Sequence, residues 1–383
     1  MERLYRYVKS HSWASGLGAA VLAIGEALWA HLAGILRGRR RLIERPADVL
    51  GWDDWPTHLG VAVRIPFPEH VAHSAAPRSV YAVDPVMFRE GMEQRIDPGF
   101  VASIDGGYVW RDGVVMLSSG EVIEESILVP SRNPLSPDVR LPRPIPFPGS
   151  LCVLSTSYGR GFYHWVFDSM ARLAIVEAAG IEPDGFVVNY KHLPFQREWL
   201  QAMGLGPDRV HSSLELPFAL ADQVILTQIP GRDGLIPRYA VDFLRRKLRE
   251  LSPDRDRGPA RIYISRGNAA SRRLANEDEV ARVLSSWGFE TVALETIPLA
   301  HRSRLLGDAE IFLCPDGAGL TSMLFCGPDT KVIEMLTHRQ HEPFGFHLSN
   351  RLGLEYFYVL GDSGHIDIEV LEATLEMAVA SLA

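Results

Sequence analysis

Cysteine is scarce in this sequence. Its 383 residues contain only Cys152, Cys314 and Cys326, with no Cys-x-x-Cys pair and no Cys/His cluster at metal-ligand spacing. This pattern excludes a disulfide-stapled scaffold and a zinc module. The three thiols are predicted to be buried and reduced, and the sequence predicts no metal site.

Positive charge is also in short supply. The chain has 39 Lys and Arg residues against 47 Asp and Glu residues, for a net charge of -8. The first 50 residues carry +4, so the remainder carries -12. Extended nucleic-acid binding needs a basic stripe over a sizeable face, so no nucleic-acid partner is expected.

The basic N-terminal segment is assigned residues 1–45. Residues 13–36 are largely apolar and lie between clusters of basic residues, but Glu26 and four glycines weaken a spanning helix. Three interpretations stay open: a helix on an anionic membrane surface, a helix docked on the protein body, and a true span. The membrane surface is therefore a candidate partner, and the expected location is the cytoplasm, peripheral to the inner face of the membrane.

Two nucleotide motifs are missing. The complete G-x-G-x-x-G fingerprint and the phosphate-binding loop with its Lys are both absent, which disfavours NAD binding and NTP hydrolysis. What is present is an alternation of strands and helices, typical of an α/β fold with parallel sheets. Residues 46–251 form the first predicted domain, strand-rich over 46–150 and alternating over 151–251. Residues 258–383 form the second, whose final helix is predicted to pack back on the first domain.

The first candidate site follows a predicted strand at 151–154. His164, Asp168 and Arg172 are four residues apart, so one face of a regular helix would present all three. His164 or Asp168 could take a proton from an attacking hydroxyl. The alternative is an ordinary helix with an exposed Asp168–Arg172 ion pair.

The loop before this helix reads Gly159-Arg160-Gly161. Glycines let the backbone approach a ligand closely, and the carboxyl ends of parallel strands are where such sheets bind substrates. Together with Arg172, these three residues are predicted to line the acceptor side.

A second candidate site follows the predicted strand at 261–265. Arg266 and Arg273 lie between this strand and the next helix, where a diphosphate would need fixed positive charge. Solvated surface arginines are the alternative. Asn276 is predicted to be the helix N-cap, with Glu277 in the first turn.

A third candidate site lies between an apolar strand and a helix start. Gly317, Ala318, Gly319 and Thr321 would expose backbone N–H groups to a phosphate at the helix N-terminus. Glu334, predicted to end the next strand, could accept hydrogen bonds from ribose hydroxyls. The alternative is a carboxylate held by a neighbouring backbone group.

Taken together, five strings at 162–168, 261–266, 273–277, 317–325 and 332–334 resemble the family 61 glycosyltransferases, which include bacterial capsular-polysaccharide enzymes. The resemblance covers roughly residues 150–340. It implies a GT-B fold of two Rossmann-like domains facing a cleft, an inverting transfer, and no metal or cofactor. The implied substrates are a nucleotide sugar, most simply a UDP-sugar, and a saccharide or glycolipid acceptor in surface polysaccharide synthesis.

The resemblance also implies residue roles. Asp168 or His164 would be the general base, and Arg266 with the Gly317–Thr321 loop would neutralise the leaving diphosphate. Glu334 would hold the donor ribose. Asn276 and Glu277 match the family's Asn-Glu pair, which could serve only to start the helix.

This sequence departs from the family pattern at two positions. Asp316 stands where His is common, and Arg302 stands where Gln is frequent. A carboxylate beside a diphosphate is repulsive unless an arginine pairs with it or it faces away. Two other hypotheses stay open: a non-hydrolysing nucleotide-sugar epimerase, which uses a similar two-domain scaffold without a separate acceptor, and a catalytically silent binding protein related to such enzymes, which the Asp316 departure favours.

Overall fold

The structure is a computed structural model that describes residues 43–58, 60–129, 135, 140–251, 258–267, 273–337 and 343–382. Nearly all of the predicted N-terminal segment lies outside these residues, so its three interpretations stay open. Within the described ranges, no helix combines the length and apolar character needed to cross a membrane.

The first half of the chain is built on one ten-stranded mixed sheet. Eight of its strands lie side by side in the order β1-β8-β7-β6-β12-β9-β10-β11. Strand β5 pairs with β12 and with β2, which completes the sheet. The strands are β1 (Val49–Leu50), β2 (Val61–Phe67), β5 (Gly99–Asp105), β6 (Tyr108–Trp110), β7 (Val114–Met116), β8 (Val122–Ile123), β9 (Ile145–Val153), β10 (Gly185–Val188), β11 (Val210–Ser212) and β12 (Phe218–Thr227). A separate antiparallel pair is formed by β3 (His70–His73) and β4 (Glu93–Ile96).

Strand β12 joins the two kinds of structure within this sheet. On one side it pairs in parallel with β9, and on the other it pairs antiparallel with β5 and β6. Ile225, for example, lies opposite Cys152 on β9 and Ser103 on β5. The strand-rich part and the alternating part of the first half are therefore one continuous sheet.

The second half is built on a five-stranded sheet whose strands are all parallel, in the order β14-β13-β15-β16-β17. Its strands are β13 (Arg261–Ile264), β14 (Glu290–Val292), β15 (Ile311–Pro315), β16 (Lys331–Leu336) and β17 (Glu355–Leu360). Strands covered by helices on both faces are expected to be apolar throughout, and β15 is buried along its whole length. The sequence predicted four of these strands and missed β17.

Helices connect the parallel strands and cover both sheets. They are α1 (Val86–Glu90), α2 (Phe162–His164), α3 (Leu173–Ala178), α4 (Pro194–Ala202), α5 (Arg238–Arg249), α6 (Glu277–Ser286), α7 (Leu299–Leu306), α8 (Phe344–Leu352) and α9 (Ile368–Ala380). The final helix differs from the prediction, because Leu371, Leu375 and Ala378 of α9 pack with Phe357 and Val359 of β17. Helix α9 therefore covers the second sheet, and its apolar face is buried against that sheet.

The two sheets share one buried core. A single apolar cluster contains Trp165 and Ile225 from the first half and Phe312 and Phe346 from the second. A buried hydrogen bond also joins the two halves, because the guanidinium of Arg351 on α8 donates to the side-chain oxygen of Gln94 at 2.7 Å.

An extended segment over residues 74–81 strengthens this connection. The backbone N–H of Arg78 donates to the carbonyl of Tyr356 at 2.8 Å, and Arg78 forms a single parallel bridge with Phe357. The backbone N–H of Ala75 donates to the side-chain oxygen of Asn350 at 2.7 Å. Arg78 of the first half thus forms an isolated β-bridge at the edge of the second sheet.

Candidate functional site

His164 and Asp168 form a directly bonded pair. The Nδ1 atom of His164 lies 2.6 Å from Oδ2 of Asp168. The histidine side chain is 35% exposed, whereas that of the aspartate is 0% exposed. A ligand arriving from solvent can therefore reach the imidazole but not the carboxylate, and Nε2 is the ring nitrogen left for such a ligand.

The helix that carries this pair is irregular. The predicted helix over 162–179 begins as α2, continues as a π-helix over Trp165–Ser169 and a 3₁₀ turn over Met170–Arg172, and ends as α3. Single π-turns inside helices occur frequently at functional sites. The residues of the π-turn are all buried, so its irregular winding is held by packing on every side.

Burial sets the ionisation of Asp168. Removal of the carboxyl from water raises its pKa, while the hydrogen bond from His164 and the charges of His164, Arg172 and Arg232 act in the opposite direction. Its Oδ2 atom contacts His164, and its Oδ1 atom has no hydrogen-bond partner within the described part of the chain. Within the described part of the chain, the Asp168 carboxylate therefore forms its hydrogen bond with His164.

Arg172 does not share an open face with this pair, as a regular helix would require. Its side chain is completely buried. Nε and Nη2 donate to the hydroxyl and carbonyl oxygens of Thr227 at 3.0 and 2.9 Å, and Nη1 donates to the carbonyl of Ser155 at 3.4 Å. The predicted alternative, an exposed Asp168–Arg172 ion pair, is likewise wrong. Arg172 ties the helix to the carboxyl ends of β9 and β12.

The loop before α2 combines a packed glycine with an exposed arginine. A Cβ placed on Gly159 would lie 2.0 Å from Oδ1 of Asn189, so this glycine makes room for Asn189. Arg160 has an exposed side chain 3.8 Å from the carboxylate of Asp112, which also accepts from Nδ2 of Asn189 at 2.9 Å. A Cβ on Gly161 would lie at ordinary contact distance, 3.5 Å, from the His164 ring.

Arg266 and Gly317 lie together at the carboxyl edge of the second sheet. Gly317 has φ of 128°, a backbone conformation that favours glycine, and a Cβ there would lie 2.6 Å from Nη1 of Arg266. Their strands β13 and β15 are neighbours, at the point where the crossovers change direction. Ligands of open α/β sheets bind in such a crevice.

Glu277 fixes the loop that carries Arg266. Its Oε1 atom accepts from Ser265 Oγ at 2.6 Å, from Tyr263 Oη at 3.0 Å and from the backbone N–H of Arg266 at 3.1 Å. Asn276 stands at the N-cap position but does not cap the helix with its side chain. Instead it exchanges hydrogen bonds with the backbone of Ile366. Both residues thus hold the loops in place.

The glycine loop leads into a 3₁₀ helix over Ala318–Phe325. Gly319 packs on β15, because a Cβ there would lie 3.0 Å from Sγ of Cys314. The hydroxyls of Thr321 and Ser322 are buried without a hydrogen-bond partner among the described residues. Ala318 is half-buried at the start of this helix, and Arg273 is exposed on the neighbouring loop.

The two carboxylates near this loop are buried and face inward. Oδ1 of Asp316 accepts from the backbone N–H of Thr337 at 3.2 Å, so this acid is held by the loop after β16. Glu334 lies inside β16 rather than at its end, is 3% exposed, and accepts from Tyr356 Oη at 2.7 Å. Its contact with a donor ribose stays a prediction.

Burial raises the pKa of Glu334 to about 8, opposed by the Tyr356 hydrogen bond and assisted by the charge of Asp316. A Cβ on Gly345 would lie 2.1 Å from Oε2 of Glu334, so the helix α8 covers this carboxyl directly. At neutral pH the group is therefore largely protonated in the folded protein.

Arg302 connects the second sheet to the helix of the His164 pair. It is buried and donates to the carbonyls of Leu294 at 3.0 Å and Ile297 at 3.2 Å. Its guanidinium carbon lies 5.6 Å from the ring centre of Phe162, the first residue of α2. This departure from the family pattern is thus a packed contact between the two halves.

The helices that carry the first and third predicted clusters are in contact. Helix α2, which ends at His164, contacts the 3₁₀ helix that follows Gly317. The ring of Tyr163 lies 4.5 Å from that of Phe344 at the start of α8. The sequence did not predict Asn189, Phe344 and Tyr356, because none belongs to a motif and all act through contacts distant in sequence. No group of three or more His, Cys, Asp or Glu residues suited to a metal ion occurs in the described ranges.

The site thus combines a half-exposed imidazole bonded to a buried carboxylate in the first half with an arginine and a glycine-rich helix start in the second. Residues 162–333 match the family model described as Glycosyltransferase 61. Over this region the chain is similar to the family 61 glycosyltransferases, and this similarity supports a glycosyltransferase that acts on a sugar donor and an acceptor. The match includes His164, Asp168, Arg266 and Gly317. No curated protein matches the chain.

Proposed function

We propose that this glycosyltransferase moves a sugar from a nucleoside diphosphate-sugar, most simply a UDP-sugar, to a hydroxyl of a saccharide or glycolipid. The observation that carries the proposal is the contact between helix α2 and the 3₁₀ helix after Gly317. This contact supports the proposal, because a direct displacement requires the base and the diphosphate-binding loop to lie close together.

His164 is the proposed general base. Its Nδ1 is engaged by Asp168, so Nε2 takes the proton from the acceptor hydroxyl. Asp168 is too deeply buried to touch a substrate; it fixes the tautomer and stabilises the imidazolium that forms. This division of roles follows from the exposure of the two side chains.

The acceptor oxygen then attacks the anomeric carbon while the bond from that carbon to the diphosphate breaks. The diphosphate leaves with the bonding electron pair, and the sugar is transferred with inversion. Arg266 and the backbone N–H groups at the start of the 3₁₀ helix stabilise the departing charge. Because Arg266 supplies fixed positive charge, the proposed reaction needs no divalent metal.

The wider proposal follows the same geometry. The two sheets correspond to the two halves of a GT-B enzyme, with residues 46–251 on the acceptor side and 258–383 on the donor side. Arg160, exposed on the loop before α2, is proposed to contact the acceptor, and the exposed Arg273 is proposed to contact the donor. A role in surface polysaccharide synthesis, at the inner face of the membrane, is part of this proposal.

The experiment begins with thermal stabilisation of the full chain by UDP, GDP, CDP, CMP and dTDP. A nucleotide at 100 times its Kd should stabilise the folded state by about 2.7 kcal/mol. The corresponding donor sugars are then tested for transfer to saccharide acceptors. No stabilisation by any nucleotide would contradict the proposal. Binding without donor consumption would support a silent binding protein instead, and consumption that produces only an epimerised donor would support an epimerase.

A further inference from the structure

The loop after β12 contains a glycine whose presence the backbone does not explain. Gly231 has φ of -88° and ψ of 4°, values that any residue adopts. Nearby Gly234 differs, because its φ of 72° lies in the left-handed region. Gly231 must therefore be small for a reason other than backbone conformation.

The reason is the carboxylate of Asp168. A Cβ placed on Gly231 would lie 2.2 Å from Oδ1 of Asp168 and 2.9 Å from Cβ of Phe167. Both distances are too short for any real side chain. The carbonyl of Gly231 also accepts from Tyr163 Oη at 3.4 Å, so the loop contacts the helix before and after His164.

The opposite side of this loop is held by the strand-rich part of the chain. Nη2 of Arg232 donates to the carbonyl oxygens of Glu125 at 2.8 Å and Ile127 at 3.0 Å. The carboxylate of Glu125 in turn accepts from Nε1 of Trp55 at 2.6 Å. Trp55, Glu125 and Ile127 all precede the region that matches the glycosyltransferase family.

We propose that Gly231, held in place by Arg232, is a positioning residue for the His164–Asp168 pair. Oδ1 of Asp168 has no hydrogen-bond partner among the described residues, so packing restrains that side of the carboxylate, alongside the charges of Arg172 and Arg232. The Gly231 backbone forms this restraint and keeps Oδ2 directed at Nδ1 of His164. The inference deepens the proposed function, since it rests on His164 as the base.

The test uses Gly231→Ala with Gly234→Ala as its matched control. Alanine at 234 strains the same loop, but its Cβ would have no heavy atom within 4 Å. The readout is the proton NMR signal of the His164 Nδ1–H, assigned by its loss in His164→Gln. Gly231→Ala should shift or abolish this signal while Gly234→Ala leaves it in place. An unchanged signal in Gly231→Ala, or an equal change in both variants, would overturn the proposal.

A second measurement covers the case in which Gly231→Ala folds poorly. The fall in melting temperature caused by Gly231→Ala should be smaller when Asp168 is already Ala, because the closest contact is then gone. An equal fall in both backgrounds would show that Asp168 is not what Gly231 accommodates.

Activity separates this inference from the proposed function. With a donor identified as above, Gly231→Ala should lower kcat at least tenfold while the Kd for UDP changes less than twofold. If His164→Gln transfers sugar normally, the proposed role of His164 as the base fails, whereas the NMR and melting comparisons still decide whether Gly231 contacts Asp168. A wild-type kcat in Gly231→Ala would contradict the positioning role.

Discussion

The guanidinium of Arg266 occupies the space in front of Gly317, 51 positions further along the chain. A Cβ on Gly317 would lie 2.6 Å from Nη1 of Arg266, so the glycine is needed both for its backbone angle and for this contact. A cation and a helix start that exposes N–H groups thereby share one edge of the second sheet. This is the physical basis for placing a diphosphate there.

Loss of Arg266 should weaken nucleotide binding. Arg266→Ala removes a charge-assisted interaction of about 1.5–3 kcal/mol, so the Kd for UDP should rise roughly 10- to 100-fold. Calorimetry with UDP measures this, and Arg282→Ala, on the exposed face of α6, is the control. An unchanged Kd in Arg266→Ala would contradict the assignment.

The His164–Asp168 pair should govern transfer rather than binding. His164→Gln and Asp168→Asn should each lower kcat by about 10²- to 10⁴-fold, since proton transfer is lost or the imidazole loses its orientation. The Kd for UDP should stay within a factor of two. His301→Gln, an exposed histidine on α7, serves as control. Loss of nucleotide affinity comparable to the loss of kcat would refute the assigned role.

Arg172 should matter for stability. Arg172→Lys removes the paired hydrogen bonds to Thr227 from a fully buried site and should cost about 2–4 kcal/mol of unfolding free energy. Urea denaturation measures the loss, with the exposed Arg197→Lys as the matched control. Equal stability of the two variants would show that the buried ties contribute little.

Glu334 should make stability depend on pH. Its pKa is raised by burial from 4.5 to about 8 in the folded protein, so the folded state holds this proton longer than the unfolded state. Its contribution to stability is therefore lost as pH rises from about 4.5 through about 8. Between pH 5 and 8, the free energy of unfolding of Glu334→Gln should therefore fall less than that of the wild type, by roughly 1–4 kcal/mol.

Urea denaturation at several pH values gives this comparison. Glu376→Gln, exposed on α9, is the control and should retain the wild-type pH dependence. If Glu334→Gln keeps the same pH dependence as the wild type, the buried carboxyl is not its source.

Local patterns in the sequence were enough to predict much of the second sheet. Strands β13 to β16 are short apolar runs separated by amphipathic helices. The loop that begins at Gly317 follows one such run, and the loop at Gly159–Gly161 follows a similar run in the first sheet. Strand β17 and helix α8 were missed, although α8 covers Glu334. The coverage of Glu334 by Gly345 and Tyr356 depends on contacts between distant segments, and no residue spacing encodes it.

The first site shows the same limit. Four-residue spacing correctly paired His164 with Asp168, because their side chains meet within one turn. It misplaced Arg172, because the π-turn over Trp165–Ser169 changes the winding before that residue is reached. Gly231 gave no local signal, since its role depends on a carboxylate 63 positions earlier.

The main-chain hydrogen bond from Arg78 to Tyr356 joins the edge strand of the second sheet to a segment from the first half of the chain. A rigid-body separation of the two halves would break this backbone hydrogen bond. It would also expose Gln94 and Arg351, whose side chains form a hydrogen bond between the two halves. In the proposed glycosyltransferase we therefore expect substrates to bind and leave through local movement of the loops near His164 and Gly317, while the two sheets stay joined.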